Sequence, residues 1–98
     1  DLPPFDRSTM DGYAVRARDV FGASESEPGL LRLCGEIAMG QAPHGRIEGA
    51  GACYRIWTGG VLPPGADAVV MLEYTRLLDE QTLKVFRPVA PGENVIRR

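Results

Sequence analysis

Histidine and cysteine are scarce in this chain of 98 residues, which holds one His and two Cys. A zinc site normally takes four ligands at close paired spacing, and Cys34 and Cys53 are too few and too far apart for one. His44 stands alone in the turn-rich run Gln41-Ala42-Pro43-His44-Gly45, so it supplies neither a metal site nor a catalytic pair and reads as a solvated loop residue. Both cysteines lie in apolar, strand-like runs and read as buried reduced thiols, with a structural disulfide as the alternative. No apolar stretch approaches the roughly 18 residues of a membrane span, and no charged-then-apolar targeting segment precedes the first motif. The eleven basic residues are scattered, and a formal net charge of -2 with a pI of about 5.3 argues against a nucleic-acid partner held by charge.

What the chain does have is punctuation. Twelve glycines and eight prolines recur at short intervals and leave little room for long helices, so the expected class is all-β: a small, irregular, barrel-like domain of short strands joined by Pro/Gly-rich loops. A hydrophobic content of 44% supplies one core, and residues 1–98 read as one domain without repeats or an internal boundary. Strands are expected at Gly12–Arg16, Leu30–Ala38, Cys53–Trp57, Ala68–Tyr74 and Thr82–Val89, where β-branched, aromatic and aliphatic residues end at turn signals. Asp79-Glu80-Gln81 reads as a hairpin tip that makes Tyr74–Leu78 and Thr82–Val89 antiparallel neighbours.

Three finer expectations follow from patterning. Between Arg16 and Gly29 the chain should make a short helical turn and then a polar loop outside the core. Ala68-Val69-Val70-Met71-Leu72 shows no alternation, as expected of a central strand buried on both faces. Leu83, Val85 and Arg87 share one face against Lys84 and Phe86, an imperfect alternation that suits a strand covered on both sides near one end.

Two segments carry the chemistry. The opening Asp1-Leu2-Pro3-Pro4-Phe5-Asp6-Arg7-Ser8-Thr9-Met10-Asp11-Gly12-Tyr13-Ala14-Val15 sets rigid prolines and an Asp-Gly turn signal ahead of a strand, which presents Asp11 at a fixed place. Tyr54 to Met71 repeats the design with a hydroxyl at Thr58 followed by Gly59-Gly60. Exposed N–H groups of those glycines beside a hydroxyl form an oxyanion or phosphate cradle, against the plainer reading of a strand-ending turn. Taken alone, Asp11 reads first as a turn former and second as a functional anion. Ser8 caps or braces the turn, since no histidine base stands near it in sequence. Asp6 and Asp67 read as turn stabilisers, and Glu73, directly after an apolar run, as the partner of an arginine such as Arg55 or as a site residue. Arg97 and Arg98 could hold phosphate or a similar oxyanion, or simply end the chain.

These segments resemble the molybdenum insertases, a family that includes bacterial MoeA and the E domain of gephyrin. The residues behind the resemblance are L-P-P-F-D-x-S-x-M-D-G-Y-A-V at the start, Gly35-Glu36-Ile37-Ala38-Met39-Gly40, R-I-x-T-G-x-x-L-P-P-G-A-D-A-V-V-M from Arg55 to Met71, and Pro91-Gly92-Glu93-Asn94-Val95-Ile96-Arg97-Arg98. It spans essentially the whole chain. Gly60 departs from the alanine more often found after the Thr-Gly pair, which should loosen that loop. The Gly-x-Asp tract that follows in the family is absent.

The resemblance implies the β-rich second domain of a multidomain molybdopterin molybdenumtransferase, a cytoplasmic enzyme that inserts molybdenum from molybdate into adenylylated molybdopterin. It implies Asp11 and Thr58 as catalytic residues, Asp11 also as a metal contact, and Ser8, Gly59 and Gly60 as contacts to the bound cofactor. Mg²⁺ is implied as the assisting ion, and the molybdopterin-binding domain of a second subunit in a homodimer as the opposite wall of the site. The rival class is a non-catalytic interaction module of the kind that gephyrin's scaffolding role exemplifies, which an exposed apolar patch without a polar cleft at Asp11 and Thr58 would favour.

Overall fold

In the computed structural model the described residues are 5–97. Asp1 to Pro4 and Arg98 lie outside them, so the opening Pro3-Pro4 pair and one arginine of the terminal pair receive no structural account. Eight strands form among the described residues: β1 (Arg7–Ser8), β2 (Gly12–Val15), β3 (Gly29–Ile37), β4 (Ala52–Ile56), β5 (Ala68–Met71), β6 (Thr75–Leu77), β7 (Thr82–Val85) and β8 (Val95–Ile96). Two short 3-10 turns, Ala17–Val20 and Leu72–Tyr74, complete the regular structure. The class is therefore all-β as expected, and no helix among the described residues is long and apolar enough to cross a membrane.

Six strands make one curled, half-barrel sheet in the order β5-β2-β4-β3-β7-β6, and β1 pairs with β8 in a separate ribbon. The hairpin expected around residues 79–81 is present, with β6 and β7 antiparallel in the register Thr75↔Val85, Arg76↔Lys84, Leu77↔Leu83. All other pairs in the large sheet are antiparallel except β3 with β4. Parallel neighbours need a long crossover, and residues 38–51 provide it as an irregular loop turned by Gly40, Gly45, Gly49 and Gly51 at positive φ.

The sheet carries a core on each face. Tyr13, Val15, Leu31, Cys53, Val70, Leu83 and Val85 pack on one side, and Ala14, Ile37, Ile56, Leu62 and Val69 on the other. β3 serves both because its pairing with β4 slips between Leu33 and Glu36. One extra residue in a strand reverses which face its side chains take, so Leu31 and Leu33 join the first core and Ile37 the second.

Several expectations need correction. The unbroken run at Ala68–Leu72 is not a central strand: β5 is an edge of the large sheet and ends at Met71, before the second 3-10 turn. It is buried on both faces because each face carries a core, Val70 packing in the first and Val69 in the second, and its open edge is covered by later chain, where Glu93 O accepts Val69 N–H at 3.1 Å and Asn94 Nδ2 donates to Val69 O at 2.9 Å. Covering an edge in this way satisfies groups that would otherwise template pairing with another chain. β7 stops at Val85 and alternates simply, with Leu83 and Val85 buried between half-buried Thr82 and Lys84. Arg87 lies beyond it, its guanidinium 4.2 Å from the Tyr74 ring centroid. The short helical turn expected after Arg16 forms at Ala17–Val20 and residues 24–27 of the loop are exposed, but the segment is not wholly outside the core, since Ala17, Val20 and Ala23 are buried in the first cluster. Asp67 holds that turn in place, accepting Ala17 N–H on Oδ1 at 2.8 Å, and Asp19 binds Arg16 through both carboxylate oxygens. Cys34 and Cys53 are both free, but only Cys53 is buried; Cys34 is exposed on the outward-facing side of β3.

Candidate functional site

The site forms where the β2–β4 ladder ends. Gly12 and Ile56 are its last paired residues, so Asp11, just before β2, and Thr58, just beyond β4, emerge side by side although 47 positions separate them. Asp11 Oδ1 accepts the Thr58 backbone N–H at 2.8 Å and the Thr58 hydroxyl at 2.9 Å. Both side chains are exposed and line one open groove of about 500 Å³ with Thr9, Met10, Met71, Leu72 and Glu73.

The two loops are tied together from behind. Ser8 N–H donates to Gly60 O at 2.9 Å, Gly59 N–H to Ser8 O at 2.8 Å, and Leu62 N–H to Asp6 O at 3.0 Å, while Arg7 Nη1 reaches Gly59 O at 3.1 Å. The groove side of Asp11 is pinned as well, since its carbonyl accepts Leu72 N–H at 3.3 Å. Gly12 is required here by close approach rather than by a left-handed turn, for it is absent from the positive-φ positions. A Cβ at Gly12 would stand only 2.0 Å from Val70 O on the neighbouring strand.

Electrostatically, Asp11 is an anion held in place. The backbone hydrogen bond from Thr58, then the hydroxyl bond, keep its carboxyl below the ordinary carboxylate value of 3.8, with a smaller contribution from the positive charge of Arg55. Both of those bonds use Oδ1, which leaves Oδ2 without a protein partner among the described residues.

The remaining expected site residues fall in different places. Ser8 is buried, and its hydroxyl both donates to Met10 O at 2.5 Å and accepts Met10 N–H at 3.2 Å, so it braces the turn from behind the groove. The cradle of free N–H groups does not exist: Thr58 gives its N–H to Asp11, Gly59 to Ser8 O and Gly60 to Trp57 O. Gly60 does not loosen the loop either. It is buried, and a Cβ there would come within 2.9 Å of Ile56 Cγ1. Gly59 does need its glycine freedom, with φ at 87°.

Glu73 does not pair with Arg55. It is exposed on the groove wall, whereas Arg55 donates from Nη1 to Gly12 O at 3.2 Å and Ile56 O at 2.7 Å and lies 3.9 Å from the Trp57 ring centroid. This use of Arg55 was not anticipated from the sequence, although a cation two residues before an aromatic at a strand end was a usable signal. His44 is exposed, as expected, near Gln41 Oε1 at 3.2 Å. Arg97 is exposed and packs over Gly92. Among the described residues no group of three or more His, Cys, Asp or Glu side chains converges to hold a metal ion.

The comparisons with known proteins agree with one another. A family described as the MoeA N-terminal region, domain I and II, matches residues 1–98. A Methanocaldococcus jannaschii protein named for molybdopterin biosynthesis is 43% identical over 99% of this chain, which covers 22% of that protein. A molybdopterin molybdenumtransferase of Nostoc sp. is 41% identical over 97% of this chain, covering 21% of the relative. The crystal structure of a molybdopterin biosynthesis MoeA protein from Pyrococcus horikoshii superposes with a TM-score of 0.90 at 41% identity, over 99% of this chain and 24% of that one. This chain thus spans between a fifth and a quarter of the length of these relatives. With its whole length matched, the chain belongs to the MoeA N-terminal region family.

Proposed function

We propose that this chain is the β-rich domain of a longer, cytoplasmic molybdopterin molybdenumtransferase and forms one wall of the site that places molybdenum into adenylylated molybdopterin. The observation that carries this reading is the Asp11–Thr58 pair: two loops remote in sequence fix one carboxylate in an open groove whose wall also carries Met10, Met71, Leu72 and Glu73. The fixed, ionised carboxylate favours the enzymatic reading over a scaffolding module, which has no use for an anion held by two hydrogen bonds. Relatives named molybdopterin molybdenumtransferase supply the substrate classes, molybdate and molybdopterin.

Within that reading each residue has a physical task. Thr58 saturates Oδ1 of Asp11 and keeps the carboxylate ionised, so Oδ2 is the oxygen that meets the substrate side and accepts a proton or hydrogen bond there. Ser8, Gly59 and Gly60 act by holding the two loops in register rather than by offering donors. The opposite wall comes from the molybdopterin-binding domain of a second subunit, and most substrate affinity resides there.

A divalent ion such as Mg²⁺ fits this groove only as a shared guest. Mg²⁺ is commonly held by one or two carboxylates together with substrate phosphates and water, and Asp11, with one unpartnered oxygen, supplies one such ligand. Bound there, the ion would supply charge neutralisation at the adenylyl phosphate. The test is the insertion rate of the full-length protein carrying Asp11→Asn, with molybdate and adenylylated molybdopterin as substrates. A strong loss with the fold retained supports the reading, and an unchanged rate overturns it.

A further inference from the structure

We propose that Arg55 is a positioning residue of this site, setting the separation of Asp11 and Thr58 by stitching the carbonyl of Gly12 to that of Ile56. This rests on the reading of the Asp11–Thr58 groove as the working site. Gly12 directly follows Asp11, Ile56 stands two residues before Thr58, and the two are the last paired residues of the β2–β4 ladder. Beyond that pair no β2–β4 ladder bond follows, although Asp11 O still accepts Leu72 N–H and Trp57 N–H still reaches Ile37 O. One nitrogen of Arg55, Nη1, donates to both carbonyls, at 2.7 Å to Ile56 and 3.2 Å to Gly12, and so closes the ladder's end.

The guanidinium is itself fixed. It lies 3.9 Å from the Trp57 ring centroid and 5.8 Å from that of Tyr13, and Trp57 Nε1 donates to Glu36 Oε2 at 2.7 Å. Glu36 is the register partner of Arg55 on β3, placed opposite it by the slip between Leu33 and Glu36. Arg55 therefore has a ring on one side, a second ring further off, and two carbonyls at its tip. A planar, permanently charged fork suits that setting, and a lysine ammonium supplies the charge without the stacking plane.

Arg55 does not line the groove that holds Asp11 and Thr58. It opens instead onto a separate hollow with Tyr13, Leu33, Gly35 and Glu36, so beyond a small electrostatic effect on Asp11 it reaches the substrate side through the two loops it joins. Its role is geometric, and displacement of a working group by about 1 Å is enough to lower a rate on the order of a hundredfold.

The experiment measures kcat and KM of the full-length protein, per folded molecule, for Arg55→Gln, Arg55→Lys, Asp11→Asn and the Arg55→Gln/Asp11→Asn double variant. The amide proton shift of Thr58 is followed by NMR in the Arg55 variants. Arg55→Gln is expected to lower kcat roughly ten- to a hundredfold with KM for molybdate unchanged, and Arg55→Lys, which also serves if the Gln variant folds poorly, to recover part of that loss. The double variant should fall no lower than Asp11→Asn alone, because groups acting as a unit are not additive. In Arg55→Gln the Thr58 amide proton should move upfield as its bond to Asp11 lengthens. An unmoved Thr58 amide, an undiminished kcat in Arg55→Gln beside an impaired Asp11→Asn, or fully additive losses in the double variant each overturn the role of Arg55 while leaving the site reading intact. A wild-type rate in Asp11→Asn overturns both.

Discussion

Asp11 receives two hydrogen bonds on one carboxylate oxygen, both from Thr58, and its other oxygen has no protein partner among the described residues. An asparagine keeps an acceptor oxygen for both bonds and loses only the anion. Asp11→Asn in the full-length protein should therefore melt close to the parent while molybdenum insertion falls about a hundredfold or more, the usual scale for a positioned acid or base. Early melting with a normal rate per folded molecule would make Asp11 a turn residue only.

The pH dependence has a definite sign. The folded carboxyl of Asp11 titrates below its unfolded value of 3.8, so its stabilising contribution is fully present above that value and disappears as pH falls through the lower folded one. Thr58→Val removes the hydroxyl donor and spares the backbone N–H, which is the larger cause of the lowering. The Asp11 midpoint, followed by carboxyl-carbon NMR, should rise in Thr58→Val yet stay below 3.8. A midpoint equal to that of the parent would remove the hydroxyl from the pair.

Gly12→Ala tests the close approach of β2 and β5. The new Cβ would stand 2.0 Å from Val70 O, a backbone atom that no rotamer change can move aside. Loss of about 1–3 kcal/mol or more is expected, of the kind overpacking causes, measured by chemical denaturation. Stability equal to the parent's would mean that β5 can shift away from β2.

Val70→Ala separates folding from chemistry in the opposite sense to Asp11→Asn. Val70 is 2% exposed in the first core, so trimming it should cost about 1–3 kcal/mol through lost burial and a residual cavity. Its insertion rate per folded molecule should match the parent's, read from thermal melting and turnover on the same preparation.

The two thiols should differ sharply in reactivity. Burial pushes Cys53 up to about 12, whereas Cys34 is exposed. A thiol reagent at neutral pH should label Cys34 in the native protein and reach Cys53 only after denaturation, with peptide mass mapping to tell them apart. Rapid native labelling of Cys53 would contradict its burial.

Much of the domain was legible in the chain itself. The spacing of glycines and prolines excluded long helices, and local composition alone placed the hairpin at Asp79-Glu80-Gln81 and strands that overlap β2, β3, β4, β5 and β7, the last two drawn too long. The motifs around Asp11 and Thr58 carried the family. The two-residue strands β1 and β8 were not legible, because neither has a pattern of its own and each exists only as the other's partner.

Burial was misread where it depends on remote chain. The unbroken apolar run of β5 looked central, yet its edge is covered by Glu93 and Asn94, more than twenty residues later. Cys34 looked buried by its neighbours' character, but the slip in β3 and the outward side of that strand decided otherwise. Local sequence determined which residues favour strand and turn, since those preferences act within a few residues. Only the tertiary structure decided that Thr58 gives its donors to Asp11, that Gly12 lies against Val70 and that Arg55 joins two loops, because each is a contact between segments brought together by the sheet.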